Sequence, residues 1–411
     1  MALRRYAPCV ALVAIAATAA MVAAIATVPT PAGATQFRGD RDDRGGRGHG
    51  RWWYRHRFGQ RRGVCVGRLP LNAPRAGGLY AVANRGGGTV SLIDPDKAAV
   101  VDTYELGRVG EPMYLATPFG TREVWVGDRA NSQLHVLQVF ENKFYPTFRL
   151  DLPGCDGVFH TMASQLPVSS GGTVWTTCDK SNITVVHDVT THTVIGTIPL
   201  PKRVAALGGV PHDTIANERF GYVSYIKNSD GAGYVGVYSV RTLSLVRLIR
   251  TAEDPHVGLF ADSNVIIAAQ GGEVSTFRPG FAGGCPRTVD RKQPSPHGVA
   301  VALSGSHGYI TNIADGGDAA IVTYRLNRSS GSPQRGCAAV KSSRPIPHNL
   351  SITSDDRILL LTHSGANSTV VGLWKVNKDG CVDPKSERLI ETGANPFGVC
   401  FLRALSVPKR S

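Results

Sequence analysis

The chain has 411 residues, of which 42% are hydrophobic, and its formal net charge is +14. Residues 78–404 alone are long enough to bury a large hydrophobic core. Most of the positive charge belongs to the first 63 residues, so the charge does not indicate a domain that binds a specific nucleic acid.

Residues 1–34 have the pattern of an export signal. Arg4 and Arg5 precede a run of Ala, Val, Ile and Leu between Cys9 and Val28, and Ala32-Gly33-Ala34 follows as a small-x-small cleavage site. We predict a secretory signal peptide that is cleaved after Ala34, which leaves a secreted protein without a transmembrane span. The alternative is an uncleaved N-terminal membrane anchor, because an apolar run of about twenty residues can span a bilayer.

Residues 35–63 are rich in arginine and glycine and have no apolar periodicity. The nine Arg and three Asp between positions 38 and 62 contribute +6 to the net charge. Such a segment cannot bury enough apolar surface to fold by itself, so we predict that it is disordered. We expect it to bind an anionic surface or polymer, such as a wall polymer, a glycan or lipid headgroups. The alternative is a solvated linker.

Residues 64–404 contain seven copies of one sequence repeat, at separations of 41–52 residues. Each copy is a short aliphatic strand that begins in most copies with Pro and one large residue, then a turn, then a second aliphatic strand with a polar end. The large residues are Met113, His160, His212, His256, His297, His348 and Phe397. Units of this length with four short strands predict an all-β, seven-bladed β-propeller.

The first and last units show how the predicted ring closes. The array begins with a second strand, residues 79–84, and ends with a first strand, residues 395–401. We predict that the C-terminal strand completes the first blade and that residues 405–411 form a tail. An open β-solenoid is the alternative, although its repeats are usually shorter.

One strand carries a recognisable signature. Tyr309-Ile310-Thr311-Asn312 differs by one conservative change from Tyr-Val-Thr-Asn, and residues 79–94 look like the strand–turn–strand phrase of the same repeat. The array therefore resembles the YVTN-type, lactonase-like seven-bladed propellers over nearly all of residues 78–404. The resemblance implies the fold. It leaves the function open, since similar propellers serve as surface-layer proteins, as lactonase-like enzymes and as scaffolds for copper or haem d1.

Propeller geometry brings the start of each first strand and the end of each second strand to one mouth of the axial channel. The starts supply His160, His212, His256, His297 and His348, and the ends supply Asn84, Asp128, Asp179, Asn312 and His363. We predict a site for a small ligand or a protein there.

Imidazole is a common ligand of Cu, Fe and Zn. The predicted metal ligands are His212, His256, His297, His348 and His363, with His348 and His363 as the closest pair. In the alternative interpretation these histidines only cap strands.

The leading hypothesis for function is a secreted, non-catalytic propeller that binds a ligand or partner at this His-rich mouth. The first alternative is an extracytoplasmic redox enzyme that uses Cu, Fe or Zn. The second is a lactonase-like hydrolase with a His–carboxylate base, for which Asp213 follows His212 and Asp254 precedes His256 by two residues. The sequence contains no Gly-x-Ser-x-Gly elbow, His-Glu-x-x-His motif or phosphate loop, so it identifies no catalytic residue and leaves enzymatic activity undecided.

Seven cysteines remain after removal of the signal, and none forms a Cys-x-x-Cys motif. Cys155 and Cys178 flank one predicted blade and are the best candidates for a disulfide, and Cys65 could pair with Cys400. The other three follow Gly at matching places in the last three units: Cys285, Cys337 and Cys381. Matching places on adjacent blades are usually too far apart to bond, so these three are not predicted to pair directly. The alternative is that the cysteines are buried free thiols.

Overall fold

A computed structural model describes residues 78–165, 168–260, 264–279, 286–314, 319–327 and 332–403. These residues form seven antiparallel sheets of four strands each. The 28 strands are numbered β1 to β28 in chain order, and one short helix, α1, spans Lys202–Ala206. A single 3-10 turn occurs at Val168–Ser170.

Each blade consists of four strands, which are named in order from the axis outward. Blade one contains β28 (Pro396–Leu402), β1 (Leu79–Asn84), β2 (Thr89–Asp94) and β3 (Ala99–Glu105). Blade two contains β4 (Pro112–Ala116), β5 (Glu123–Asp128), β6 (Gln133–Phe140) and β7 (Lys143–Asp151). Blade three contains β8 (Val158–Ala163), β9 (Thr173–Cys178), β10 (Ile183–Asp188) and β11 (Val194–Pro199). Blade four contains β12 (Val210–Ala216), β13 (Phe220–Ile226), β14 (Gly233–Ser239) and β15 (Leu245–Thr251).

The remaining three blades follow the same order. Blade five contains β16 (Pro255–Phe260), β17 (Asn264–Ala269), β18 (Glu273–Phe277) and β19 (Arg287–Asp290). Blade six contains β20 (Pro296–Val301), β21 (His307–Asn312), β22 (Ile321–Leu326) and β23 (Pro333–Arg335). Blade seven contains β24 (Pro347–Ile352), β25 (Ile358–His363), β26 (Val370–Lys375) and β27 (Arg388–Glu391).

The sheets form a closed ring around one axis. Each inner strand contacts the inner strand of the next blade, in the cycle β4, β8, β12, β16, β20, β24, β28 and back to β4. The C-terminal strand β28 pairs with β1, from Leu79 opposite Leu402 to Asn84 opposite Pro396. The prediction of a seven-bladed propeller closed by its C-terminal strand is confirmed, and an open solenoid is excluded.

The hydrophobic core lies between neighbouring sheets. Every residue of the second strands β1, β5, β9 and β17 is buried, because a blade is covered on both faces by its neighbours. Their central residues are therefore mostly apolar or Thr and show no alternation of exposed and buried positions, and the polar residues Asn84, Glu123, Asp128 and Asn264 lie at strand ends. Trp175 of blade three packs on Gly221 of blade four, where an added Cβ would lie 2.1 Å from the indole ring. A larger residue at position 221 would displace this tryptophan.

The inner strands share an irregularity near the axis. In six blades the pairing between the first and second strands shifts register just after the opening residue, and only blade five pairs without a shift. A bulge of this kind changes the direction of the side chains that follow it. Two successive residues of an inner strand can therefore both reach the channel, as His212 and Asp213 do in blade four.

Two disulfides are present among the described residues. The predicted bond between Cys155 and Cys178 is confirmed. Cys337 and Cys381 are also bonded, which corrects the expectation that they lie too far apart. Cys337 follows the outer strand of blade six, whereas Cys381 precedes the outer strand of blade seven, so the two positions are not equivalent and face each other across the blade boundary.

Cys400 is buried and forms no disulfide within the described part of the chain. Burial raises the pKa of its thiol to about 12. Its suggested partner Cys65 lies outside the described residues, as does Cys285.

Several sequence predictions fall outside the residues that the structure describes. These are the signal peptide at 1–34, the basic segment at 35–63, the first part of the predicted propeller region at 64–77 and the tail at 405–411. Within the described residues, no helix has the length and apolar character needed to cross a bilayer.

Candidate functional site

Seven aromatic side chains form a closed ring on the propeller axis, which we call the axial ring. In order around the axis they are Tyr114, His160, His212, His256, His297, His348 and Phe397. Neighbouring ring centroids are between 3.5 and 5.3 Å apart. The five predicted histidines of the channel mouth therefore meet, and each of them is at most 6% exposed.

At two positions the axial ring differs from what the alignment of the sequence repeats predicts. In the strand pairing, Val158 of β8 lies where the other inner strands have Pro, so Phe159 and not His160 is the equivalent of His212. His160 is one residue further along and still reaches the ring, because β8 has the bulge described above. In blade two Tyr114 reaches the ring, although the repeat alignment predicted Met113 at this position.

Asp254 brings a carboxylate to the centre of the imidazole cluster. Its Oδ1 lies 3.4 Å from Nε2 of His212 and 3.6 Å from Nε2 of His256. The two Nε2 atoms are 3.4 Å from each other. Three donor atoms from blade four and from the start of blade five thus form a nearly equilateral triangle, which we call the axial triad.

Asp213 supports the axial triad from behind. Its Oδ1 lies 2.9 Å from Nδ1 of His160, and its Oδ2 lies 3.7 Å from Nδ1 of His256. The backbone amides of Thr214 and Val257 donate to the same carboxylate at 2.7 and 2.9 Å. The carboxylate is therefore fixed and can orient two imidazoles at once.

Three potential ligand atoms in this cluster make no well-aligned hydrogen bond among the described residues: Oδ1 of Asp254 and both ring nitrogens of His160. Nδ1 of His160 nevertheless lies 2.9 Å from the Asp213 carboxylate, which leaves Nε2 of His160 and Oδ1 of Asp254 as the atoms available to a ligand. Burying polar atoms without partners costs free energy, so such atoms in a folded protein require a structural or functional explanation. Among the described residues, two groups of donors are close enough to hold a metal ion: His160 with His212 and His256, and Asp254 with His256 and His297.

Burial controls the charges of the cluster. Burial lowers the pKa of His160, His212 and His297, and neighbouring imidazoles lower the last two further. Burial opposes ionisation of Asp213, but His160 and His256 lower its pKa to about 2.

The pair formed by Asp254 and His256 behaves in the same way. Although burial acts against both charges, their contact lowers the pKa of Asp254 and raises that of His256. Near neutral pH the cluster therefore contains two carboxylates and mostly neutral imidazoles, which attracts a cation and leaves ring nitrogens free to bind it.

The other side of the axial ring is aromatic. Tyr114 stacks on His160 with a centroid distance of 3.5 Å and contacts Phe397 edge-on at 5.3 Å. The guanidinium of Arg85 lies 5.2 Å from the centre of the Phe397 ring, and that of Arg129 lies at the same distance from Phe159. These contacts close the channel by packing and cation–π interactions and present no unpartnered acceptor among the described side chains.

The predicted residues at the ends of the second strands hold turns and blade contacts instead of joining the axial ring. The Asn84 amide donates to Thr89 and Ser91, and Asn312 donates to the side chain of Gln293. Asp128 lies 3.4 Å from His135, whereas Asp179 accepts two hydrogen bonds from Arg129 at 2.9 and 3.0 Å. Most of their polar atoms are paired within the protein, although Oδ1 of Asn84 has no hydrogen-bond partner among the described residues. None of these residues belongs to either candidate metal group.

The expected pair of His348 and His363 does not form. Nδ1 of His348 faces the backbone carbonyl of Phe397 at 3.1 Å, and Nε2 of His363 lies 2.7 Å from the Ser342 hydroxyl. His363 sits at the end of β25 opposite Pro347, so its side chain lies in the blade and not on the axis. The expectation was wrong because neighbouring strand positions need not direct their side chains to the same side.

Asp254 was the most important residue that the predicted ligand set left out. It precedes Pro255 and has a φ of 48°, in the left-handed region that Asp tolerates better than most residues. Ile346 and Asn395 precede the corresponding prolines with similar φ values, so the turn belongs to the repeat. The sequence signal that could have found Asp254 is an acidic residue at this turn position.

Comparisons with known proteins support the fold and leave the activity open. No protein-family model matches the chain, and no curated protein matches it by sequence. Among solved structures, the periplasmic gluconolactonase of Pseudomonas aeruginosa has a TM-score of 0.61 and 14% identity, with 80% of this chain and 99% of that chain covered. A proposed 6-phosphogluconolactonase of Bacteroides uniformis has a TM-score of 0.59 and 13% identity, with coverages of 80% and 100%.

A third similar structure belongs to a different functional class. Kuenenia stuttgartiensis hydrazine synthase has a TM-score of 0.57 and 11% identity, with 72% of this chain and 92% of that chain covered. The resemblance to lactonase-like propellers noted in the sequence is thus confirmed at the level of fold. Identities this low do not transfer an activity.

Proposed function

We propose that this chain is a secreted, non-catalytic propeller that binds a transition-metal ion in its axial ring. The observation that carries the proposal is the convergence of five buried imidazoles and two carboxylates on one axis, with donor atoms that have no partner in the described residues. Nitrogen and carboxylate donors without a thiolate suit Zn, Cu, Ni or Fe better than Ca or Mg.

The packing of the axial ring favours an ion over an organic ligand. Neighbouring rings are in contact, with a centroid distance of 3.8 Å between His256 and His297. A sugar lactone would have to displace several of them, so the lactonase-like hypothesis receives no support from this site. The redox hypothesis shares the metal and differs in requiring access for a substrate or an electron donor.

Export is supported by the two disulfides, because such bonds persist mainly in oxidising compartments. The basic segment at 35–63 completes the proposal as a region that holds the protein to an anionic polymer. Removing that segment should weaken adsorption to such a polymer at low salt and leave the melting temperature unchanged.

Metal analysis tests the proposed function. After removal of bound metal with a chelator and dialysis against Zn²⁺, Cu²⁺ or Ni²⁺, the full chain should retain about one equivalent of at least one metal. The double variant H212Q/H256Q should retain none while its circular dichroism spectrum stays that of a β protein. A parent protein that takes up none of these metals would refute the proposal.

A further inference from the structure

The spacing of the three atoms of the axial triad distinguishes between coordination geometries. Their separations are 3.4, 3.4 and 3.6 Å. At metal–ligand distances of about 2.1 Å, neighbouring donors are about 3.4 Å apart in a tetrahedral site and about 3.0 Å apart in an octahedral site. The triad thus has the edge lengths of one face of a tetrahedron, and a point about 2.0 Å from all three atoms lies between them.

His160 is best placed to supply the fourth ligand. One of its ring nitrogens lies within 4.8 Å of ligand nitrogens of both His212 and His256, and its Nε2 has no hydrogen-bond partner in the described part of the chain. His297 is the competitor, because it lies in one candidate group with Asp254 and His256 and its Nδ1 faces the backbone carbonyl of His348 at 3.2 Å. It is not grouped with His212, whereas His160 is grouped with both imidazoles of the axial triad. Because His160 shares no candidate group with Asp254, its ring would have to rotate toward the carboxylate to complete the tetrahedron.

Asp213 has the position of a supporting carboxylate. Metal-binding imidazoles usually direct their second nitrogen at a carboxylate or carbonyl, which fixes the ring and increases its basicity. Asp213 contacts Nδ1 of both His160 and His256, which leaves Nε2 of each ring for a metal. Two of the three imidazoles therefore have such support already built in.

We propose that His160, His212, Asp254 and His256 form a closed, four-coordinate site of the zinc type that joins blades three and four to blade five. The inference rests on the proposed function and adds the ligand set, the geometry and a structural role. Four protein ligands leave no open position for a substrate, as in structural zinc sites. An ion held by three blades would resist their separation, much as a disulfide resists it elsewhere in the ring.

The test uses the purified full chain, stripped with a chelator and reloaded with Zn²⁺ or Co²⁺. D254N should lower Zn²⁺ affinity by about 100-fold or more, measured by competition with a chromophoric chelator, and H160Q should lower it by about 10-fold. H187Q is the matched control, since His187 is as buried as the ring histidines but lies in β10, outside the axial ring. Its affinity should equal that of the parent.

Two spectroscopic measurements on the parent do not depend on whether a variant folds. The Co²⁺ form should show the intense visible bands of four-coordinate cobalt. X-ray absorption of the Zn²⁺ form should fit three imidazoles and one oxygen at about 2.0–2.1 Å. Weak six-coordinate cobalt bands, or a fit without an oxygen ligand, would overturn the assignment.

The outcomes separate this inference from the proposed function. If the parent binds one Zn²⁺ and D254N binds it equally well, the axial ring still binds metal but the ligand set is wrong. An affinity loss in H297Q instead of H160Q would overturn His160 as the fourth ligand. Failure of the parent to bind any metal would overturn both proposals.

Discussion

The two arcs of the axial ring use the same strand position for opposite purposes. The arc of His160, His212, His256, His297 and His348 leaves donor atoms unpartnered within the described residues, next to two carboxylates. The arc of Phe397 and Tyr114 is packed ring on ring, and Arg85 covers Phe397. Both arcs close the channel, but only the imidazole arc does so with groups that can bind an ion.

The fold therefore determines which side chains meet at the axis, whereas the residue type in each blade determines their chemistry. In this propeller large side chains fill the axis, and both phenyl and imidazole rings provide that volume. Imidazoles cost more when buried without partners, so five of them in one ring indicate a function beyond filling space.

Removing Phe397 together with its strand β28 should have the largest effect on stability. Deletion of residues 395–411 eliminates β28 and Phe397 and exposes the edge of β1. We expect aggregation or loss of cooperative unfolding, measured by calorimetry and size-exclusion chromatography. Deletion of residues 404–411 alone is the control and should leave both unchanged. A soluble 395–411 deletion with the parent's melting profile would contradict the closed ring.

Acid should destabilise the fold through buried imidazoles, of which His348 lies in the axial ring and His187 and His363 lie within blades. Burial lowers the pKa of His348 to about 3 and those of His187 and His363 to about 4, whereas the unfolded chain protonates near 6.5. Between pH 6.5 and 4 these histidines therefore bind protons in the unfolded state but stay neutral in the folded state, and stability falls as pH falls. At the acid end of this range each group can lower the free energy of unfolding by up to about 3 kcal/mol.

Denaturant unfolding of the metal-free protein at several pH values measures this effect. H363N should flatten the dependence between pH 6.5 and 4, because the asparagine cannot be protonated. The raised pKa of His256 acts in the opposite direction, since it adds stability at low pH that is lost as pH rises through its folded value. Stability that increases steadily from pH 6.5 to 4 would show that the buried histidines do not dominate.

Truncating the aromatic arc should change stability without changing metal binding. Phe397 is half-buried and contacts His348 and Tyr114, so F397A should lower the free energy of unfolding by about 2 kcal/mol. Zn²⁺ affinity should stay at the parent value, because Phe397 touches none of the proposed ligands. D254N should give the reverse result. Equal losses of affinity in both variants would abolish the distinction between the two arcs.

The smallest effect on stability is expected at the ends of the second strands, which lie outside both arcs of the axial ring. D179N removes the negative charge that pairs with Arg129 near the channel mouth and, because both side chains are mostly buried, should lower the free energy of unfolding by about 1.5 kcal/mol. Metal affinity should not change. A large loss of Zn²⁺ binding in D179N would mean that the rim belongs to the site after all.

The sequence predicted the architecture because blades repeat, and each repeat carries its own strand and turn pattern. It also predicted that five histidines would meet, since the ring converts one repeated position into neighbours in space. It misjudged His363 and placed Asp254 beside His256 without including it among the metal ligands, because both outcomes depend on the direction of single side chains at bulges and left-handed turns. Such details are set by local backbone geometry, which the repeat pattern does not encode.

The disulfide between Cys337 and Cys381 was missed for a related reason. The two cysteines look equivalent when the repeats are aligned by their glycines, yet one follows an outer strand and the other precedes one. Repeat alignment therefore placed the strands well and the loops poorly.

The pairing of β1 with β28 has a practical consequence for attaching the protein to a support. Leu79 and Leu402 lie opposite each other, at the end of this pair away from Asn84 and Pro396, which adjoin the axial ring. Both ends of the described ring thus leave it on the face opposite the imidazoles. A tether joined next to either end would place the axial ring on the side of the protein away from the support, so that ions from solution would approach the buried site without passing the support.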